Sequence, residues 1–134
     1  MKKIILILAV TIGSAFVWQS CTKDGDLIGG GDTRESYIGV WSVSDQCSKQ
    51  TYAVDIKEDE QNTTQVIIVN FANYGKPVTA VVADNTIYVG KQDIGNDTFV
   101  SGNGKLNGAM ISWSSYNIET EGDLEECTAT FQKN

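Results

Sequence analysis

The chain has 134 residues, enough for one domain, with a formal charge of −7 and no histidine. The acidic balance argues against nucleic acid or anionic lipid as a partner recognised through a basic face, and it suits cations or basic proteins. Without histidine, the Ser-His-Asp and Cys-His mechanisms are excluded and the commonest metal ligand is missing.

The chain opens with Lys2 and Lys3 before an apolar run from Ile4 to Val17. That run is too short to cross about 30 Å of hydrocarbon as a stable anchor, but it suits the apolar core of a signal peptide over residues 1–20. Ser20 before Cys21 resembles the lipobox of bacterial lipoproteins, with Trp18 where that pattern usually carries an aliphatic residue. The resemblance implies that the Cys21 thiol is lipidated, palmitate among its acyl chains, and that Cys21 becomes the new N-terminus. The alternative is an ordinary secretory signal followed by an unrelated cysteine. Cleavage before Cys21 leaves 114 residues (134 − 20). The expected address is the cell envelope, as an outer-membrane lipoprotein facing periplasm or cell surface, with the membrane reached through the lipid anchor.

Three cysteines are an odd number for an exported chain. Lipidating Cys21 leaves Cys47 and Cys127 to pair, a bridge that contributes roughly 4 kcal/mol on the chain-entropy model. Two free thiols are the alternative. Two cysteines without histidine are too few ligands for zinc, and neither metal nor cofactor is expected.

Residues 21–36 carry Gly25, Gly29, Gly30 and Gly31 among Asp24, Asp26 and Asp32, and read as a flexible spacer. Lys23-Asp24-Gly25-Asp26 is similar to the acidic export signals of Bacteroidota surface lipoproteins, and equally suits a solvated linker.

From residue 37 to 134, short alternating runs are punctuated by turn residues, which is the all-β signature. Strands are expected near 38–45, 50–58, 65–71, 77–83, 86–90, 98–105, 109–119 and 124–132. Ala83-Asp84-Asn85 and Leu106-Asn107-Gly108 carry tight-turn chemistry, and Pro77 sits at a strand start where its missing donor costs least. Eight sequential strands predict an antiparallel up-and-down barrel, since closure removes both exposed edges. Cys47 after the first strand and Cys127 opening the last fall where a closed barrel sets them side by side, although a sandwich could also join them.

Tyr37-Ile38-Gly39-Val40-Trp41 resembles the G-x-W opening of lipocalins and related calycin barrels. There the tryptophan closes one barrel end, which makes Trp41 the expected plug. The domain over residues 37–132 looks like a group of small Bacteroidota lipoproteins. The shared residues are Gly39-Val40-Trp41, Cys47, Val69-Asn70-Phe71, Val100-Ser101-Gly102-Asn103-Gly104 and Cys127-Thr128-Ala129-Thr130. The resemblance implies a lipocalin-like barrel and an envelope address, without a reaction.

Tyr52, Trp113 and Tyr116 are the candidate ligand-lining residues. The alternation around Trp113 breaks near Ser114-Ser115, where a bulge would re-aim Tyr116. Ser101, Gly102 and Gly104 leave gaps that suit an aromatic ring from within the domain, or a ligand. Asp93 and Asp97 flank Gly95 in an expected loop, Gly90 to Asp97, the candidate rim of any site. Glu119, Glu121, Asp123, Glu125 and Glu126 crowd one hairpin without a basic neighbour in sequence, which reads as solvated surplus charge or, at a stretch of composition, a paired-carboxylate glycosidase.

No catalytic constellation emerges, so the expectation is a non-enzymatic envelope protein. The first reading is a barrel holding a small apolar or amphipathic ligand at its mouth. The alternative is a filled barrel acting through its loops on a basic protein partner, including inhibition of a host enzyme such as lysozyme. Interior positions filled by Tyr52, Ile68, Phe71, Trp113 and Phe131 would weigh against the ligand.

Overall fold

A computed structural model describes residues 32–134; the expectations for the signal peptide, Cys21 and most of the spacer lie outside these residues. Eight strands follow in order: β1 (Gly39–Asp45), β2 (Thr51–Glu58), β3 (Gln65–Val69), β4 (Pro77–Ala83), β5 (Thr86–Gly95), β6 (Thr98–Asn107), β7 (Met110–Thr120) and β8 (Asp123–Lys133). Each pairs antiparallel with the next, and β8 returns to β1, closing the barrel. Two 3-10 turns, Thr33–Ser36 and Phe71–Asn73, are appended at opposite ends.

Period-two patterning selects the inner face. In β4, Val78, Ala80 and Val82 are buried while Pro77, Thr79, Val81 and Ala83 are exposed. In β7 the expected break is present. The β7–β8 register shifts between Trp113 and Tyr116, across Ser114-Ser115. The extra residue resets the parity, so Ile111 and Trp113 before it and Tyr116 and Ile118 after it are all buried.

The interior is filled. Trp41, Ile56, Ile68, Phe71, Trp113, Tyr116 and Phe131 are each no more than 2% exposed. Removing such a side chain from water contributes about 1.5–3 kcal/mol. Gly102 and Gly104 make room for two of the rings. A Cβ on Gly102 would lie 2.7 Å from Tyr116 Cβ, and one on Gly104 would lie 3.0 Å from Trp113 Cδ2 and 2.8 Å from Ile87 Cγ2. The gaps in β6 therefore seat aromatic rings of the domain itself.

Two sequence expectations need correction. The third strand ends at Val69 rather than 71, because Asn70 turns left-handed at φ 72°. Asn tolerates that region, and here its side chain holds it: Oδ1 accepts the Gly75 N–H at 2.7 Å and Nδ2 donates to Ala53 O at 2.9 Å. The expected loop from Gly90 to Asp97 is mostly strand. β5 runs on to Gly95 by absorbing two register shifts against β6, between Val89 and Gln92 and between Asp93 and Gly95. Gly90 and Gly95 mark bulges rather than a loop. The connection itself is the two-residue turn Asn96-Asp97, both at positive φ.

Candidate functional site

The barrel has a closed end and a mouth. At the closed end, Trp41 is fully buried near the start of β1, and its Nε1 donates to Tyr37 O at 2.8 Å. Lys133 Nζ stands 5.3 Å from the Trp41 ring centroid and donates to Ser36 O. Arg34 is ion-paired with Asp32 at 2.5 Å and gives Nη1 to the carbonyls of Asp59, Asn62 and Gln65 in the β2–β3 connection. Tyr37 donates its hydroxyl to Asp84 O, and burial together with the Asp84 charge pushes that phenol up to about 12.

The mouth carries the β1–β2, β3–β4, β5–β6 and β7–β8 connections, and it is organised by Asp45. This last residue of β1 is only 5% exposed. Its Oδ1 accepts the backbone N–H of Cys47 at 2.8 Å and of Ser48 at 3.3 Å. Its Oδ2 accepts the hydroxyls of Tyr52, at 2.8 Å, and Tyr116. Four donors use the carboxylate's hydrogen-bonding capacity. Burial first, then the bond to Asp45, holds both phenols far above their ordinary range, so they are neutral donors.

The two bonds from Asp45 Oδ1 shape the turn that presents Cys47 to β8. There it forms the expected bridge with Cys127, with Cα atoms 5.6 Å apart. Glu125 lies beside the same sulfurs. Sulfurs bonded to each other are not thiolate ligands, so this group holds no metal while the bridge is closed.

Phe71 descends from the β3–β4 connection into the mouth. Its ring meets Trp113 and Tyr116 edge-on, with centroids at 5.1 and 5.6 Å. Of the three candidate ligand-lining residues, Trp113 and Tyr116 are therefore brought together inside the core, while half-buried Tyr52 joins Tyr116 through Asp45. The Trp113 Nε1 donor is buried without a partner among the described residues. A concavity of about 180 Å³ remains beneath Tyr74, lined by Asp45, Ala72, Tyr116, Ile118 and Glu125.

Asp93 and Asp97 both lie near the mouth, Asp93 at the end of β5 and Asp97 in the following turn. The Glu121 N–H donates to Asp97 O at 3.1 Å, which joins the β5–β6 and β7–β8 turns into one rim. Glu121, Asp123, Glu125 and Glu126 are exposed in and after the β7–β8 turn, and Leu124, 60% exposed, lies on the outer wall beside Phe99 and Lys91. Glu119 is paired with Lys91 at 2.7 Å.

Asp45 was not legible as a site residue, although an aspartate two positions before Cys47 carries a local signal. An Asp side chain commonly accepts the N–H two residues on. No protein-family model, curated protein or solved structure matches the chain.

Proposed function

We propose that the protein is a non-enzymatic, lipid-anchored envelope module whose filled barrel presents an acidic mouth to a basic protein partner. The observation that carries this is the contrast between interior and rim. The interior positions are occupied by the protein's own rings, whereas the joined turns gather exposed carboxylates at the rim. Concentrated surface charge steers a partner of opposite sign. The anchor rests on Cys21 as the acylated N-terminus.

The test is in-cell cross-linking of the full chain. A basic partner should be recovered with the wild type, lost with Asp97→Lys/Glu121→Lys/Glu125→Lys, and released as salt rises from about 0.05 to about 0.3 M. Recovery that ignores both the substitutions and the salt would defeat the reading. A second reading, a small apolar or amphipathic ligand at the mouth, draws on the partnerless indole N–H of Trp113. Native mass spectrometry of residues 22–134 separates the two, because an adduct lost on denaturation belongs only to the second.

A further inference from the structure

The barrel wall is split between β4 and β5. Toward β3, the β4 register covers Pro77 to Val81, from Val69 opposite Pro77 to Gln65 opposite Val81. Toward β5, it covers Val81, Val82 and Ala83 and stops there. Beyond that point β5 bulges and follows β6, leaving Pro77 to Ala80 without ladder pairing to β5.

The gap is bridged by one side chain. Gln92 Oε1 accepts the backbone N–H of Thr79 at 2.9 Å, and Gln92 Nε2 donates to Thr79 O at 2.6 Å. Nε2 also reaches Gly90 O at 3.1 Å, so the amide is held from both strands. A primary amide that gives one N–H and takes one N–H from the same residue does what the peptide group of a neighbouring strand would do. Pro77, next along the edge, has no N–H to offer, a familiar way of limiting an open edge. A concavity of about 210 Å³ lies over the split, bordered by Thr79, Val81, Tyr88 and Gln92. Val81 and Tyr88 are 40% and 49% exposed beside it.

We propose that this split is a docking slot for an extended segment of a protein partner, with the Gln92 amide as a displaceable stand-in for the segment's backbone. The inference rests on the protein-binding reading and adds how the partner is gripped. Main-chain bonds to Thr79 supply the register, and one apolar side chain of the segment packs on Val81 and Tyr88. The segment is basic. Toward the mouth the slot leads past exposed Asp93 to the acidic rim; of the flanking cations, Lys91 is already neutralised by Glu119, and Lys76 stands just before Pro77 at the mouth end of the β4 edge.

The probe is an acetylated, amidated hexapeptide, Lys-Val-Thr-Val-Thr-Lys, titrated into the ¹⁵N-labelled barrel domain with its bridge intact. The Thr79 backbone amide and the Gln92 side-chain amide should shift saturably. The same peptide with N-methylated backbone should leave both unmoved, and Gln92→Ala should bind about tenfold more tightly because the competitor is gone. Silence at Thr79 up to millimolar peptide overturns the slot, and the wild-type titration alone decides this if Gln92→Ala does not fold. Shifts confined to Glu121 and Glu125 overturn the slot while leaving the acidic-mouth reading standing; that reading falls only if the cross-linking arm also fails. Concentration-dependent shifts of Thr79 in Gln92→Ala without peptide make a second copy the occupant, and overturn the partner.

Discussion

The two ends of the barrel are sealed with opposite chemistry. At the closed end four donors reach main-chain carbonyls, Arg34 at Asp59, Tyr37 at Asp84, Trp41 at Tyr37 and Lys133 at Ser36, with Asp32 the one carboxylate, held by Arg34. At the mouth one acceptor, Asp45, gathers two N–H groups and two phenols. The first arrangement spreads its bonds over several turns, so the loss of one leaves the others. The second converges on one carboxylate, and adds a covalent bridge beside it. Redundancy at one end and convergence at the other mean that equal chemical insults should have unequal effects.

Opening the bridge should produce the largest change. A loop of 80 residues corresponds to about 4.5 kcal/mol on the chain-entropy model. The Cys47→Ser/Cys127→Ser protein should therefore lose most of that in urea unfolding, with hydrogen exchange rising first around Asp45 and Tyr52. Uniform exchange over both ends would erase the distinction. Next come single truncations compared across the ends. Asp45→Ala strands one buried and one half-buried phenol and two turn N–H groups at about 1–3 kcal/mol for each that water cannot reach. Lys133→Met removes a contact worth about 0.5–1 kcal/mol, leaving Arg34 and Trp41 in place. If Lys133→Met matched Asp45→Ala, the closed end would be as convergent as the mouth.

Alkaline pH offers the gentlest comparison. A phenol whose pKa is raised on folding contributes stability that is intact below its unfolded value and is lost as pH climbs through the folded value. For Tyr37 that window lies between about 10 and about 12. Tyr52 and Tyr116 are shifted further in the same direction, so their loss continues above it. The urea midpoint should hold to about pH 9.5 and then fall, with Tyr37→Phe lessening the slope between about pH 10 and about pH 12 by roughly a third, because all three phenols contribute there. A slope in that window unchanged by Tyr37→Phe would assign the decline to the mouth alone.

Much of the barrel is legible because its signals are local. Alternation marks β2 and β4, paired turn residues mark the hairpins, and the Ser114-Ser115 break announces a bulge that the register contains. The position of Cys47 and Cys127 follows from strand order once closure is assumed. What escapes is of two kinds. β5 is misread because Gly90, Asp93 and Gly95 carry the same composition in a bulged strand as in a loop, and pairing with β6 decides between them. Asp45 and Gln92 escape because their partners, Tyr116 and Thr79, are set by barrel closure and by a register gap. The Asp45 contacts to Cys47, Ser48 and Tyr52 are local, but the Tyr116 and Thr79 contacts reach beyond a window of ten residues.

The position of Asp32 fixes a polarity for the whole molecule. Its ion pair with Arg34, which reaches the β2–β3 connection, holds it at the closed end. β8 alone has eleven residues, which at about 3.3 Å per residue and about 40° of tilt sets the poles roughly 28 Å apart. The acidic turns therefore stand at the far pole from Asp32, across the length of the strands.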